Sequence, residues 1–378
     1  MLNADKVIAE ARAKVGLERF ASPDSEANLR RLADALNREG RLNPAGEHRI
    51  HVAGVYHVCT QLLLGQYLTA KPELADADAG NAIMIVGLPR TGSTKLFRLI
   101  SQDPRLMHLT LGDVALPLAF PGETGVEIRQ PLIARMQAEL GMPQLMAAHE
   151  LIGAEPEEEV ILQLSHFDSR MMNDQAAMPE WQAEIRARDS RTRHVLQRQL
   201  MVAHMTQTGK TGWGWSLKNA YAGEDIDVIA EVFPNAKFVF THRDPLEQFT
   251  SIMALGHQWR AIQSDAITKE QSGQDYLQFW GEFIRRMLAA TRKVSPERII
   301  HVRYPDVVKN PISTIREIHR FAGLEVDEAV LDGMREYDAT HVQHAHGKHS
   351  YSLDEFGLTP ADVEGIYADY LALHGDKI

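Results

Sequence analysis

Asn81–Pro104 reads NAIMIVGLPRTGSTKLFRLISQDP. Its first part, Ala82-Ile83-Met84-Ile85-Val86, is a short apolar run rich in strand formers. Gly87-Leu88-Pro89-Arg90-Thr91-Gly92 follows, with turn-forming Gly, Pro and Thr. Ser93 to Ile100 then carries apolar residues at helical spacing, and Pro104 stops the pattern. Strand, tight loop and helix N-terminus together make a phosphate-holding architecture. Backbone N–H groups at a helix start lack intrahelical partners, and the helix dipole favours an anion there. Small residues let the backbone approach closely, and the Ser93 and Thr94 hydroxyls add donors.

The spacing Gly87-x4-Gly92 is that of a P-loop, yet a P-loop places Lys directly after its second Gly, and here Ser93 takes that position. The nearest positive charge within the loop is Arg90. A loop with Arg, Ser and Thr and without the lysine suggests a donor other than ATP. A second stretch, Phe233-Pro234-Asn235-Ala236-Lys237-Phe238-Val239-Phe240-Thr241-His242-Arg243-Asp244-Pro245, reads as a strand ending in an Arg and followed by a helix. Ser251 lies eight residues beyond that Arg.

Pro89–Thr94 resembles the 5′-phosphosulfate loop of sulfotransferases that use 3′-phosphoadenosine 5′-phosphosulfate (PAPS), and Phe233–Pro245 with Ser251 is similar to the second signature of that family. Leu36-Asn37-Arg38-Glu39 and Leu42-Asn43-Pro44-Ala45-Gly46 also resemble its large bacterial branch. The resemblance implies a P-loop-like α/β three-layer sandwich, a central parallel sheet flanked by helices. It further implies that Arg90, Thr91, Gly92, Ser93 and Thr94 hold the 5′-phosphate end of PAPS, that Arg243 and Ser251 hold its 3′-phosphate, and that Lys348 folds over it from the Gly347–Tyr351 stretch. PAP, the desulfated nucleotide, would be the product.

Composition is that of an ordinary globular chain, with 378 residues, 44% hydrophobic and 24% charged. The net charge of −11 argues against general nucleic-acid binding but does not forbid an anionic ligand, because the local field decides that. One cysteine, Cys59, excludes an internal disulfide framework and fits a reducing compartment. The first residues lack the apolar core of a signal peptide, and no run approaches the ~20 residues of a membrane span, so the expected location is cytoplasmic.

Residues 1–78 read as a helical N-terminal extension, packing or dimerising, ahead of an α/β domain over 79–378; a homo-oligomer is compatible with it. Ala4–Val15, Ser25–Asn37 and Ile50–Thr69 carry the helical pattern. Leu106–Leu111 is expected as a short strand, Asp113–Gly125 as loop and Gln130–Leu140 as helix. Pro156 with Glu157-Glu158-Glu159 reads as a helix start with favourable acids, although the same acids at a site are the alternative, and the helix phase that would point one of them inward stays open. The Met-rich Phe167–Arg191 stretch suits a pocket wall or a core equally. Trp213–Lys218 reads as a buried strand ending in Lys218, where α/β sheets bind ligands. Asp244 is expected to cap the next helix, with Pro245 first and Glu247 closing a capping box. Trp259 to Asp275 is expected as a polar loop over the site, before helices and a strand at Arg298–Tyr304. His341, His344, His346 and His349 fit no zinc spacing, so no metal is expected there.

The implied chemistry is in-line transfer of a sulfuryl group to a hydroxyl or amine of a small, hydrophobic acceptor. Lys218 would stabilise charge on the leaving phosphate. The resemblance also puts a His and a Pro-Glu-Glu segment beside the acceptor, which makes His149 the first candidate for the base and Glu158 the second. The family often follows the lysine with Pro and, four residues on, His; here those places hold Ala220 and Ala222. Two other classes compete. A P-loop small-molecule kinase would need a loop lysine and a Mg²⁺-binding Asp at a strand end, and a non-catalytic nucleotide-binding protein would keep the pocket without turnover.

Overall fold

The computed structural model describes residues 1–120, 153–341 and 351–378, with positions 131 and 134. The expected helix over Gln130–Leu140 and the residues His149 and Lys348 fall largely or wholly outside them. β1, Asn81–Gly87, is the middle strand of a five-stranded sheet of order β2-β3-β1-β4-β5. β2 is Leu106–Met107, β3 Gly214–Lys218, β4 Ala236–His242 and β5 Ile299–Arg303. Every pairing is parallel. A parallel strand covered by helices on both faces needs apolar residues at every position, and Ala82 through Gly87 are all buried. Met84 and Val86 join one core while Ile83 and Ile85 join a second core on the opposite face, as alternation along a strand requires. Two cores with one sheet between them make three layers.

The helices follow in chain order. α1 (Ala4–Val15), α2 (Pro23–Glu39) and α3 (Pro44–Ala70) precede the sheet, and their apolar faces merge with the larger core. α4 (Ser93–Ile100) packs on the other face through Leu96, Phe97, Leu99 and Ile100. α5 (Leu111–Ala115), α6 (Met172–Gln175), α7 (Pro179–Arg186), α8 (Arg191–Thr208) and α9 (Ile226–Val232) lead to β4. α10 (Pro245–Gln263) and α11 (Lys269–Thr291) precede β5. α12 (Tyr304–Lys309), α13 (Pro311–Ala322), α14 (Glu328–Thr340) and α15 (Pro360–His374) complete the chain. Among the described residues no helix is long and apolar enough to cross a membrane.

Four expectations are corrected. The strand expected over Leu106–Leu111 ends at Met107, because Thr110 accepts from Asp113 N–H and Asp113 accepts from Thr110 N–H, a capping box that starts α5 at Leu111 and carries it into the expected loop. No helix starts at Pro156: Pro156 bridges Thr110 in antiparallel fashion, Glu157 N–H donates to Leu109 O at 2.9 Å, and a 3-10 turn begins only at Glu159. The polar loop expected from Trp259 is mostly helix. α10 runs to Gln263 and α11 starts at Lys269, because buried Arg260 is held by the Asn173 carbonyl at 2.8 Å and its side-chain oxygen at 3.0 Å. Asp244 caps α10 as expected, but Glu247 pairs with Arg243 at 2.9 Å instead of closing a box. The Met-rich stretch, read as pocket or core, contributes Met178 and Trp181 to the core.

α10 and α11 meet at Gly256. A Cβ there would lie 1.6 Å from the Tyr276 hydroxyl, which donates to Asp174 at 2.6 Å. Gly256→Ala forces the helices apart or breaks that hydrogen bond, so its denaturation midpoint should correspond to a loss of about 3 kcal/mol. Chemical unfolding of the two proteins side by side checks this.

Candidate active site

Strand order places the site. The connection leaving β1 runs toward β2, past the position of β3, while the one leaving β4 runs the other way to β5. Such a reversal opens a crevice at the carboxyl ends of the two strands, where open α/β sheets take ligands. Arg90 follows β1 and Arg243 follows β4, so one arginine stands on each lip.

The loop between β1 and α4 is fixed by protein groups. Gly87, Arg90 and Gly92 all have positive φ, 101°, 64° and 82°. Gly92 has no room for a side chain, since a Cβ would meet the Tyr304 ring at 3.1 Å. Arg90 has no glycine's freedom and is held there instead. Its carbonyl accepts from Arg243 Nη1 at 3.0 Å and its Nε donates to Ser251 Oγ at 3.0 Å. Gln248 Nε2 donates to the Pro89 carbonyl at 2.7 Å. The Thr91 hydroxyl donates to Leu88 O at 2.8 Å and shares a short hydrogen bond with the Thr241 hydroxyl. No side chain caps the N-terminus of α4 among the described residues, leaving that role open to a ligand. Arg243 lies 4.4 Å above the Tyr304 ring. Burial first, and then the positive charge of Arg243, lowers the Arg90 pKa from its usual value; Glu158 acts in the opposite direction. Two half-buried arginines held at adjacent strand ends favour an anion beside them.

On the other side of β1, Lys218 ends β3, opposite Ile85. Its side chain is buried and its ammonium forms a short ion pair with Glu158 Oε1, whose second oxygen accepts from Ala220 N–H at 3.1 Å. Glu159 accepts from Lys218 N–H at 2.9 Å. Glu157 Oε1 accepts from the neighbouring Glu158 N–H at 2.9 Å. The open phase question therefore has an answer: Glu158 meets the lysine ammonium, and Glu159 lies fully buried below the strand end. Burial pushes the Glu159 carboxyl up to about 7, against two backbone N–H donors that favour its charged form.

The structure thus gathers Arg90, Thr91, Gly92, Ser93, Thr94, Arg243 and Ser251 at one crevice, and Lys218 with Glu158 on the neighbouring strand end. His149 and Lys348 lie outside the described residues. Sequence reading missed Gln248, Tyr304 and Thr241, which support the loop without a motif of their own, and the tight partnership of Glu158 with Lys218. Tyr351, at the described edge of the Gly347–Tyr351 stretch, accepts from Gln258 of α10.

The raised Glu159 pKa has a consequence for stability. The folded chain binds this proton below about pH 7, while the unfolded chain releases it above its ordinary value near 4.5. Stability therefore falls as pH rises between those two values. Glu159→Gln removes the titration, so the stability of the variant relative to wild type should rise by up to about 3 kcal/mol between pH 4.5 and pH 8. Denaturant melts at both pH values measure this, and a pH-independent difference contradicts it.

Comparison with known proteins gives a consistent result. The family model described as "Sulfotransferase family" matches residues 82–328. Omega-hydroxy-beta-dihydromenaquinone-9 sulfotransferase Stf3 of Mycobacterium bovis is 26% identical over 140 residues, 37% of this chain, and the match spans about a third of that relative's own length (36%). The crystal structure of sulfotransferase STF1 from Mycobacterium tuberculosis superposes with a TM-score of 0.82 at 25% identity, covering 97% of this chain and 99% of that one. Sulfotransferase STF9 from Mycobacterium avium gives 0.86 at 22% identity over 99% and 97% of the two chains, a likeness of fold.

Proposed function

The chain belongs to the sulfotransferase family, and from that premise we propose that it transfers a sulfuryl group from PAPS to a hydroxyl of a small hydrophobic acceptor. The observation that carries the proposal is the lip-to-lip arrangement of the crevice, in which the Arg243 guanidinium reaches the Arg90 backbone and Arg90 reaches Ser251. A nucleotide with phosphates at both ends fits an arginine at each of two adjacent strand ends. The loop residues fit the donor in a second respect: Ser93 stands where a triphosphatase needs lysine.

In this reading PAPS supplies a sulfuryl group already activated by its bond to phosphate. The backbone N–H groups of Gly92–Thr94 and the Ser93 and Thr94 hydroxyls hold the 5′-phosphate at the start of α4. Arg243 and Ser251 hold the 3′-phosphate. The acceptor oxygen bonds to sulfur as the sulfur–oxygen bond to the 5′-phosphate breaks, and the electron pair leaves with PAP. Lys218 meets the negative charge that grows on that phosphate oxygen. Glu158 takes the acceptor proton, being the carboxylate beside Lys218; His149 is the other candidate. The Stf3 relative is named for a hydroxylated menaquinone derivative, which supports a hydrophobic alcohol as the acceptor class here.

Calorimetry tests the donor half. PAP should bind with an affinity indifferent to EDTA and better than that of ADP with Mg²⁺. Arg243→Ala should weaken it by roughly 10- to 100-fold, the worth of a charged hydrogen bond or two. A preference for ADP with Mg²⁺ would overturn the proposal in favour of a kinase. For the chemical half, Lys218→Met should retain PAP binding within about threefold yet lose about 100-fold or more in kcat with a hydrophobic alcohol acceptor. An unchanged kcat would remove Lys218 from the reaction.

A further inference from the structure

One residue before Arg243 the chain presents a second constellation, which sulfuryl transfer does not use. His242 ends β4, His301 lies in β5 and His374 ends α15. Their ring centroids are 5.0, 5.0 and 5.1 Å apart, and one ring nitrogen from each lies within 4.8 Å of the other two. His242 is fully buried and His374 is 7% exposed.

The protein serves these nitrogens only in part: both of His242 have a partner, and one of His374 has none. His242 Nδ1 lies 2.6 Å from the Tyr370 hydroxyl, and its Nε2 is 2.8 Å from His301 Nδ1. His374 Nδ1 is buried with no hydrogen-bond partner. An orphaned buried polar atom costs about 1–3 kcal/mol, and three imidazoles gathered in one place compound the difficulty. Burial keeps them uncharged, holding His242 near 3 and His301 near 4 and lowering His374 as well. Neutral imidazoles have lone pairs to give. Asp376 and Lys377 act on all three rings with opposite signs, Lys377 the more strongly on each.

We infer that His242, His301 and His374 form a binding site for one divalent transition-metal ion of the zinc type, which ties α15 to the β4–β5 edge of the sheet. Three imidazole nitrogens without a carboxylate suit Zn²⁺, Co²⁺, Ni²⁺ or Cu²⁺ and not Mg²⁺ or Ca²⁺. Tyr370 supplies the outer partner that such sites use: with His242 Nδ1–H donating to the tyrosine oxygen, the Nε2 lone pair is left for the metal. Ligands placed at 242, 301 and 374 close long loops of chain, so binding contributes directly to folding stability. The ion is structural and takes no part in nucleotide binding.

The test uses the untagged full-length chain, loaded with Zn²⁺ or Co²⁺ and dialysed. One ion per chain is expected, with the intense visible bands of low-coordinate Co²⁺ and a thermal midpoint that rises on loading and falls with chelator. His374→Gln should weaken Zn²⁺ binding by about 100-fold or more, since it removes one ligand of three. A variant with His344, His346 and His349 all changed to Ala should bind as wild type does. Less than stoichiometric binding by the wild type, or octahedral Co²⁺ spectra, would overturn the assignment. So would loss of binding in the triple variant with retention in His374→Gln, which would place the metal on the histidine-rich stretch. If circular dichroism shows that His374→Gln does not fold, the wild-type stoichiometry and Co²⁺ spectrum decide the question alone.

Discussion

Arg90 adopts a backbone conformation, φ 64°, that costs a side-chain-bearing residue energy and persists only where neighbours over-determine it. Those neighbours are the rest of the crevice. Arg243 reaches its carbonyl from the next strand, Ser251 receives its guanidinium from α10, and Gln248 holds the preceding carbonyl. Tyr304, arriving after β5, fills the space beside Gly92 and lies under Arg243. Four side chains from three successive parts of the chain therefore converge on one loop of five residues. The sheet order that brings β4 beside β1, with β5 next to it, is what lets them meet.

A second theme is charge kept in the dry interior. Besides Lys218 with Glu158, buried Arg170 and Arg186 share Glu224, and Arg193 holds Asp225 and Asp168. Such pairs add little net stability against an apolar alternative, but removing one partner strands the other at high cost. Here they fix the segment after β3 between α7 and α8: Glu224 and Asp225 lie six and seven residues beyond Lys218. The lysine position is set by this framework as much as by the strand that ends in it.

The sheet centre and the crevice were legible because their signals are local. An apolar run closed by Gly, Pro and Arg announces β1 and its loop, and Asp244-Pro245 announces the start of α10 directly behind Arg243. Pro156 misled because its helix-start chemistry was overridden by pairing with Thr110, a contact 46 residues away in sequence. Trp259–Gln263 misled in the same way: its polar residues include Arg260, whose charge is satisfied inside the protein by Asn173 and Asp275. The histidine trio had no local signal at all, since its members stand on two strands and a helix with 59 and 73 residues between successive positions. The histidines at 341–349 are close in sequence, whereas the trio is brought together only by the fold.

The ion pair between Lys218 and Glu158 would make this end of the crevice an ion exchanger in the proposed reaction. In the proposed reaction, an anion arriving beside Lys218 would have to displace the Glu158 carboxylate already in place, freeing it to face whatever lies next to the anion. On that proposal, entry of the donor would both occupy the ammonium and unmask a proton acceptor. It also means that the lysine does not advertise its charge to bulk solution. Capture of a multiply charged ligand would then be left to the arginine side of the crevice, where screening by added salt acts first.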